Sequence, residues 1–284
     1  MLNRAAGTAV GPMVVAAVEQ HYPLGQRLLD DPLAVSVLPP VPRWVVRLAG
    51  RPRVREWLVE ASERHAPGVW GGIACRKRHI DEQVVRALDD GIGCVVLLGA
   101  GLDTRAHRLV APAGATAFEV DLPANVRRKR RRLGSGDRVI PVPVDLDSGD
   151  LGAALAARGY RAGRRCLFVG EGVTQYLTEE GFGRTFDFLA GAAPGSRLVF
   201  TYVRHDLVDG SDTHGPDVPG RRFVTRQRLW RIALRPREVG ALLLGYGWRK
   251  VEDVGAEECR ARPGTAGRAV PVSPLERTVL AEKL

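Results

Sequence analysis

The chain has 284 residues, 45% hydrophobic and 26% charged, enough to bury a sizeable core in one large domain and too apolar for a disordered chain. Gly and Pro, 33 and 19 residues, follow no triplet period, which excludes collagen and predicts frequent turns. The balance of 42 basic against 32 acidic side chains gives +10, a sign that nucleic acid or an anionic membrane would suit, but only Lys77, Lys129, Lys250 and Lys283 are lysines. An arginine excess of this kind arises in a GC-rich genome without any polyanionic partner.

Residues 5–18 resemble the core of a signal peptide, yet Gly7, Gly11 and Pro12 interrupt it and Arg4 is its only preceding cation. Pro39, Pro40, Pro42 and Arg43 break the most apolar candidate for a membrane span. A cytoplasmic protein is therefore expected. Residues 1–90 lack strand patterns and read as a helical N-terminal cap; in 71–90, Ile73, Ile80, Val84 and Leu88 recur near helical spacing. Cys75, Cys94, Cys166 and Cys259 show no short ligand spacing, so neither a metal site nor a disulfide is expected.

From residue 94 the period changes. Short apolar runs at Cys94–Leu98, Ala117–Val120, Val139–Val144, Cys166–Val169 and Leu198–Phe200 are apolar on both parities, as strands buried on both faces require. Lys250–Val254 and Arg277–Ala281 suggest a terminal antiparallel pair. The expected fold is α/β: a Rossmann-like, doubly wound, mostly parallel seven-stranded sheet over residues 91–284, with the helical cap over 1–90. Residues 203–232 are polar and rich in Gly and Pro, consistent with a lid or substrate loop.

In such sheets ligands bind beyond the carboxyl ends of the strands. The first run ends in Leu98-Gly99-Ala100-Gly101-Leu102-Asp103-Thr104, where glycines admit a ligand close to the backbone and a following helix would offer its positive end. Twenty residues after Gly101, Asp121 ends the second run, placed to accept both hydroxyls of an adenosine ribose. It is equally a candidate N-cap for a helix starting near Leu122-Pro123. A dinucleotide fingerprint would have glycine where Thr104 stands. Asp145-Leu146 and Glu171-Gly172 end the third and fourth runs, the former suited to an adenine amino group and ring, the latter to a cationic amino-acid or sulfonium group. Strand-end acids favour S-adenosyl-L-methionine over a pyrophosphate, which they would repel.

Five blocks, in order, carry a family resemblance: Arg27-Leu28-Leu29-Asp30-Asp31-Pro32-Leu33-Ala34, Arg76-Lys77-Arg78-His79-Ile80-Asp81, Leu98 to Arg105, Phe118-Glu119-Val120-Asp121-Leu122-Pro123 and Glu171-Gly172-Val173-Thr174-Gln175-Tyr176-Leu177. Over roughly residues 23–205 the chain resembles the leucine carboxyl methyltransferase-like class I S-adenosylmethionine-dependent O-methyltransferases, bacterial polyketide-pathway members included. The resemblance implies that Arg76 grips the methionine carboxylate, Gly99 and Gly101 line the cofactor, Asp121 holds the ribose, Asp145 and Leu146 the adenine, and Glu171 the methionine end. Lys77 departs from the small residue usual between the two arginines, and beyond 205 the match is too loose to transfer a substrate contact.

Two candidate catalytic residues stand at strand ends. Tyr176 either sits over the methyl group or packs in the core; His205 is a possible base for a hydroxyl acceptor or a surface histidine. The run Arg127 to Arg132 reads as a solvated basic helix, because six consecutive helical residues spray around the axis. The expected activity is methyl transfer to a carboxylate or hydroxyl of a small molecule, with neither nucleic acid nor membrane as partner. A protein carboxyl methyltransferase and an RNA-binding module on the same fold are the alternatives; the Asn/Asp-Pro-Pro-aromatic block usual in nucleic-acid aminomethylating enzymes is replaced by Glu171-Gly172-Val173-Thr174.

Overall fold

Alternation of apolar side chains on successive strands builds a sheet with two buried faces. The computed structural model describes residues 9–134, 136–208, 230–261, 268 and 270–284. Strands β1 (Cys94–Leu98), β2 (Thr116–Asp121), β3 (Val139–Pro143), β4 (Leu167–Gly170), β5 (Arg197–Val203), β6 (Trp248–Val254) and β7 (Glu276–Lys283) form one sheet in the order β3-β2-β1-β4-β5-β7-β6. The first five are parallel; β7 runs antiparallel between β5 and β6. The expected doubly wound sheet and terminal antiparallel pair are both present.

Parity decides the faces. Val96, Leu98, Phe118, Val120, Phe168 and Phe200 pack with Leu155, Phe186 and Trp248 on one side. Val95, Leu97, Ala117, Val169 and Val199 pack with Ile80, Val84, Ala106 and Val110 on the other. Each fully buried Phe or Leu of these layers contributes roughly 1.5–3 kcal/mol relative to exposure. β5 extends past Phe200 through the polar Thr201, because its hydroxyl accepts the Gly172 N–H (2.8 Å) and its carbonyl accepts the Thr174 hydroxyl (2.7 Å).

Before the sheet come helices α1 (Val10–Glu19), α2 (Ala34–Val37), α3 (Pro40–Leu48), α4 (Pro52–His65) and α5 (Val69–Asp89). Met13, Val18, Leu28, Leu38 and Val46 form a separate apolar cluster that reaches Trp70 of α5 and Leu102 of the glycine loop. The segment with signal-peptide character is thus, from Val10 onward, a core helix with Val15 to Val18 all buried. The helix expected to follow the glycine loop is only a π-helical turn, Ala106–Val110, which supplies little dipole. The remaining helices are α6 (Pro123–Leu133), α7 (Leu151–Ala156), α8 (Glu179–Ala190), α9 (His205–Val208), α10 (Pro236–Gly245) and α11 (Ala256–Ala261). Most of the expected lid loop, 209–229, lies outside the described residues.

Two readings need correction. Cys75 of α5 and Cys259 of α11 form a disulfide across 184 positions, a pairing that spacing along the chain cannot reveal. Cys94 and Cys166 are free thiols, 3.1 Å apart at the feet of β1 and β4. The basic run is not wholly solvated either. Lys129 is buried, its ammonium 2.6 Å from Glu119 of β2 and 3.3 Å from the Ala100 carbonyl, while Arg132 donates to the Val37 carbonyl at the end of α2. Arg127, Arg130 and Arg131 remain exposed.

Candidate cofactor and active site

The glycine loop leaves β1 in a conformation that side chains resist. Gly99 and Gly101 have φ of +60° and +41°, and a Cβ on Gly99 would lie 2.5 Å from Val173 Cγ2. Gly101 donates its N–H to Asp121 Oδ2 at 2.5 Å, so the loop is tied directly to the acid at the end of β2. Asp121 Oδ1 accepts from the Leu122 N–H (2.6 Å) and the Asn125 amide (2.8 Å). Asp121 thus braces the start of α6 without being its N-cap, which is Leu122. An ionised carboxylate has about four acceptor directions, so three donors leave room for a hydroxyl.

Beside this loop lies a buried network of charges. Arg105, fully buried, sends Nε to Asp81 of α5, Nη1 to both Asp103 and Glu171, all at 2.5 Å, and Nη2 to the Lys77 carbonyl at 3.1 Å. Arg108 joins Asp81 at 2.5 Å, and the Thr104 hydroxyl donates to Asp31, which links the segment before α2 to the loop. Glu171 also receives Arg76 Nε at 2.9 Å, with Lys77 Nζ 3.5 Å away. Burial pushes the Glu171 carboxyl up, and Lys77, Arg105 and Arg76 more than reverse this, holding it well below the usual carboxylate range. Arg76 Nη1 pairs with Glu276, the first residue of β7. Burial disfavours the Arg76 cation, but Glu276 and Glu171 keep it firmly protonated.

The structure therefore brings Arg76 and Glu171 into direct contact and joins Gly101 to Asp121. Asp145 and Leu146 separate in environment: Asp145 is exposed and accepts the Asp147 N–H at 2.9 Å, whereas Leu146 is buried in the core cluster with Val142 and Leu151. Tyr176 is half-buried in the 3-10 turn Thr174–Tyr176. His205 begins α9, directly beyond β5, and its N–H donates to the Leu234 carbonyl at 3.0 Å. Roles for Asp31, Asp81, Asp103, Thr104, Arg105 and Glu276 were missed in the sequence. All but Glu276 lie in the family blocks, and that was the available signal.

These residues fit a sulfonium nucleoside. The left-handed glycines keep the loop clear of side chains, Asp121 keeps acceptor capacity, and carboxylates outnumber cations around Arg76, Lys77, Arg105 and Arg108. No group of His, Cys, Asp and Glu suited to a metal ion occurs among the described residues.

The leucine carboxyl methyltransferase family model matches residues 9–190. A protein of Streptomyces coelicolor named for S-adenosyl-L-methionine-dependent methyl transfer is 30% identical over 274 residues, covering 94% of this chain and 89% of its own. A similarly named Frankia alni protein is 37% identical over 201 residues, 69% of this chain and 68% of its own. Among solved structures, one described as a methyltransferase of Thermobifida fusca superposes with a TM-score of 0.61 at 20% identity, over 81% of this chain and 88% of its own. A Streptomyces avermitilis structure gives 0.62 at 14% identity, over 95% and 97%; at such identities the likeness speaks for the fold alone. The family model and the relatives define an S-adenosylmethionine-dependent methyltransferase. Within that class, the chain belongs to the leucine carboxyl methyltransferase family.

Proposed function

We propose that this methyltransferase alkylates an oxygen, carboxylate or hydroxyl, of a small molecule such as a polyketide or other secondary metabolite. The observation that carries the reading is where the 209–229 connection is anchored. Its entry, α9, follows the end of β5; at its exit the Arg231 N–H donates to Gln175 O (2.7 Å) and the Leu234 N–H to Val203 O (2.9 Å). Both anchors lie beside the Glu171 loop, at the ends of β4 and β5, where we place the acceptor. That arrangement supports a small acceptor over a polypeptide tail.

The bound cofactor supplies an electrophilic methyl group on a sulfonium sulfur. Arg76, Asp121 and Asp145 would hold the nucleoside and its amino-acid end, with Glu171 fixing Arg76 beside it, and the chain would position the acceptor oxygen for the methyl group. Positioning of this kind is worth ~7–11 kcal/mol of barrier. A carboxylate acceptor is already ionised at neutral pH and needs no base; a hydroxyl acceptor would pass its proton to a group such as His205, with Tyr176 packing beside the acceptor. The inward-facing Lys129 and the capping Arg132 take two cations out of the basic run, which favours the reading without a nucleic-acid partner. No described helix is long and apolar enough to cross a membrane.

The test is incubation with methyl-labelled S-adenosylmethionine and candidate carboxylic acids and phenols, followed by mild alkali. Label released by base marks an ester and persistent label an ether; label on nitrogen, or on polypeptide alone, would overturn the proposal.

A further inference from the structure

Glu276 stands apart from the other site residues in having an unfilled role. Its Oε2 pairs with Arg76 Nη1, but Oε1 is buried and accepts no hydrogen bond among the described residues. A buried carboxylate oxygen without a donor costs on the order of 1–3 kcal/mol, a deficit that a donor arriving with a ligand would relieve. Glu276 is the first residue of β7 and pairs in register with Val203, the last residue of β5, which puts it on the rim where the strand ends open.

Glu171, to which the family resemblance gives the methionine end, has little left to offer. Its Oε1 is engaged by Arg76, and its Oε2 by Arg105 with Lys77 close by. An incoming ammonium would have to displace a guanidinium there. At Glu276 it would meet an acceptor that no described residue occupies. Arg76 in turn bonds through Nε and Nη1 only, so Nη2 keeps donor capacity among the described residues.

We propose that Glu276 is a cofactor-binding residue, its Oε1 accepting the α-ammonium of the methionine moiety while the adjacent Arg76 takes the carboxylate. The Arg76–Glu276 pair would then recognise the amino-acid zwitterion as a unit, leaving Glu171 to hold Arg76 and Arg105 in place. This assignment rests on the reading of the pocket as the cofactor site.

The test is calorimetric binding of two nucleosides: S-adenosylhomocysteine, which carries the amino-acid group, and 5′-methylthioadenosine, which lacks it. Glu276→Gln is expected to weaken S-adenosylhomocysteine by about 10- to 100-fold and to leave methylthioadenosine within about twofold. Should the substitution unsettle the fold, Glu276→Asp keeps the charge beside Arg76 and shortens its reach, with the same selectivity expected at smaller size. Equal weakening of both nucleosides would reduce Glu276 to a structural residue, and tighter S-adenosylhomocysteine binding would make it a competitor for Arg76; either overturns the assignment. Failure of the unaltered enzyme to bind S-adenosylhomocysteine would instead bring down the reading of the site itself.

Discussion

The hydroxyl of Thr104 lies 2.8 and 2.7 Å from the two carboxylate oxygens of Asp31, deep in the interior and 73 positions away in the chain. Burial raises the Asp31 carboxyl above its ordinary range, and Arg108, Lys77 and the Thr104 hydroxyl oppose this by favouring its charged form. Through this contact the N-terminal helices hold the loop that carries Gly99 and Gly101.

Thr104→Val, close to isosteric, should therefore destabilise the protein by about 1.5–3 kcal/mol, the usual worth of a hydrogen bond to a charged group. Urea unfolding at neutral pH measures it. An unchanged midpoint would mean that Arg108 alone suffices for Asp31.

Arg105→Met leaves Asp81, Asp103 and Glu171 facing one another without their shared cation, and a loss of about 3–5 kcal/mol is expected at pH 7. In the unaltered protein the depressed Glu171 contributes stability that is complete above its unfolded value near 4.5 and fades as pH falls towards its folded one. In the variant the acids keep only Arg76, Lys77 and Arg108, so they titrate higher than in the unaltered protein and acidification relieves part of their repulsion. The stability difference should shrink between pH 7 and pH 4.5; a constant difference would show that Arg105 acts through packing.

A methyl group at position 99 would meet Val173 and force an L residue into the left-handed region. Gly99→Ala is expected to cost about 1–2 kcal/mol in stability and to weaken nucleoside binding tenfold or more. Thermal unfolding and calorimetry on the same sample separate the two. Retention of full affinity would move the cofactor away from this loop.

Reduction of the Cys75–Cys259 bond frees a long segment of the unfolded chain, and a loss of about 2–5 kcal/mol is expected on adding a dithiol. Cys259→Ser should behave like the reduced enzyme and be insensitive to the reagent. Because Cys75 precedes Arg76 on α5, nucleoside affinity measured in the two redox states shows whether the bond also steadies the cofactor site.

The sheet was legible because β1, β2 and β4 are apolar on both parities and end in Gly99, Asp121 and Glu171, residues with little reason to follow a buried strand except a ligand. The short turn after the glycine loop was not, since Arg105 and Arg108 look like ordinary helix formers until Asp81 and Asp31 are seen to claim them. Lys129 was hidden inside a run of arginines; only the packing of α6 on β2 distinguishes the residue that turns towards Glu119. Cys75 with Cys259, and Arg76 with Glu276, are joined by tertiary structure alone, across 184 and 200 positions.

The placement of β7 between β5 and β6 gives the order of synthesis a meaning. Until β7 leaves the ribosome, β6 has no strand to bond to, the β5 edge stays open, and Arg76 lacks its second glutamate. A nascent chain can pair β1 to β5 before that point, but the sheet and the charge balance around Arg76 are completed only with β7, so a chain interrupted before it carries an adhesive edge.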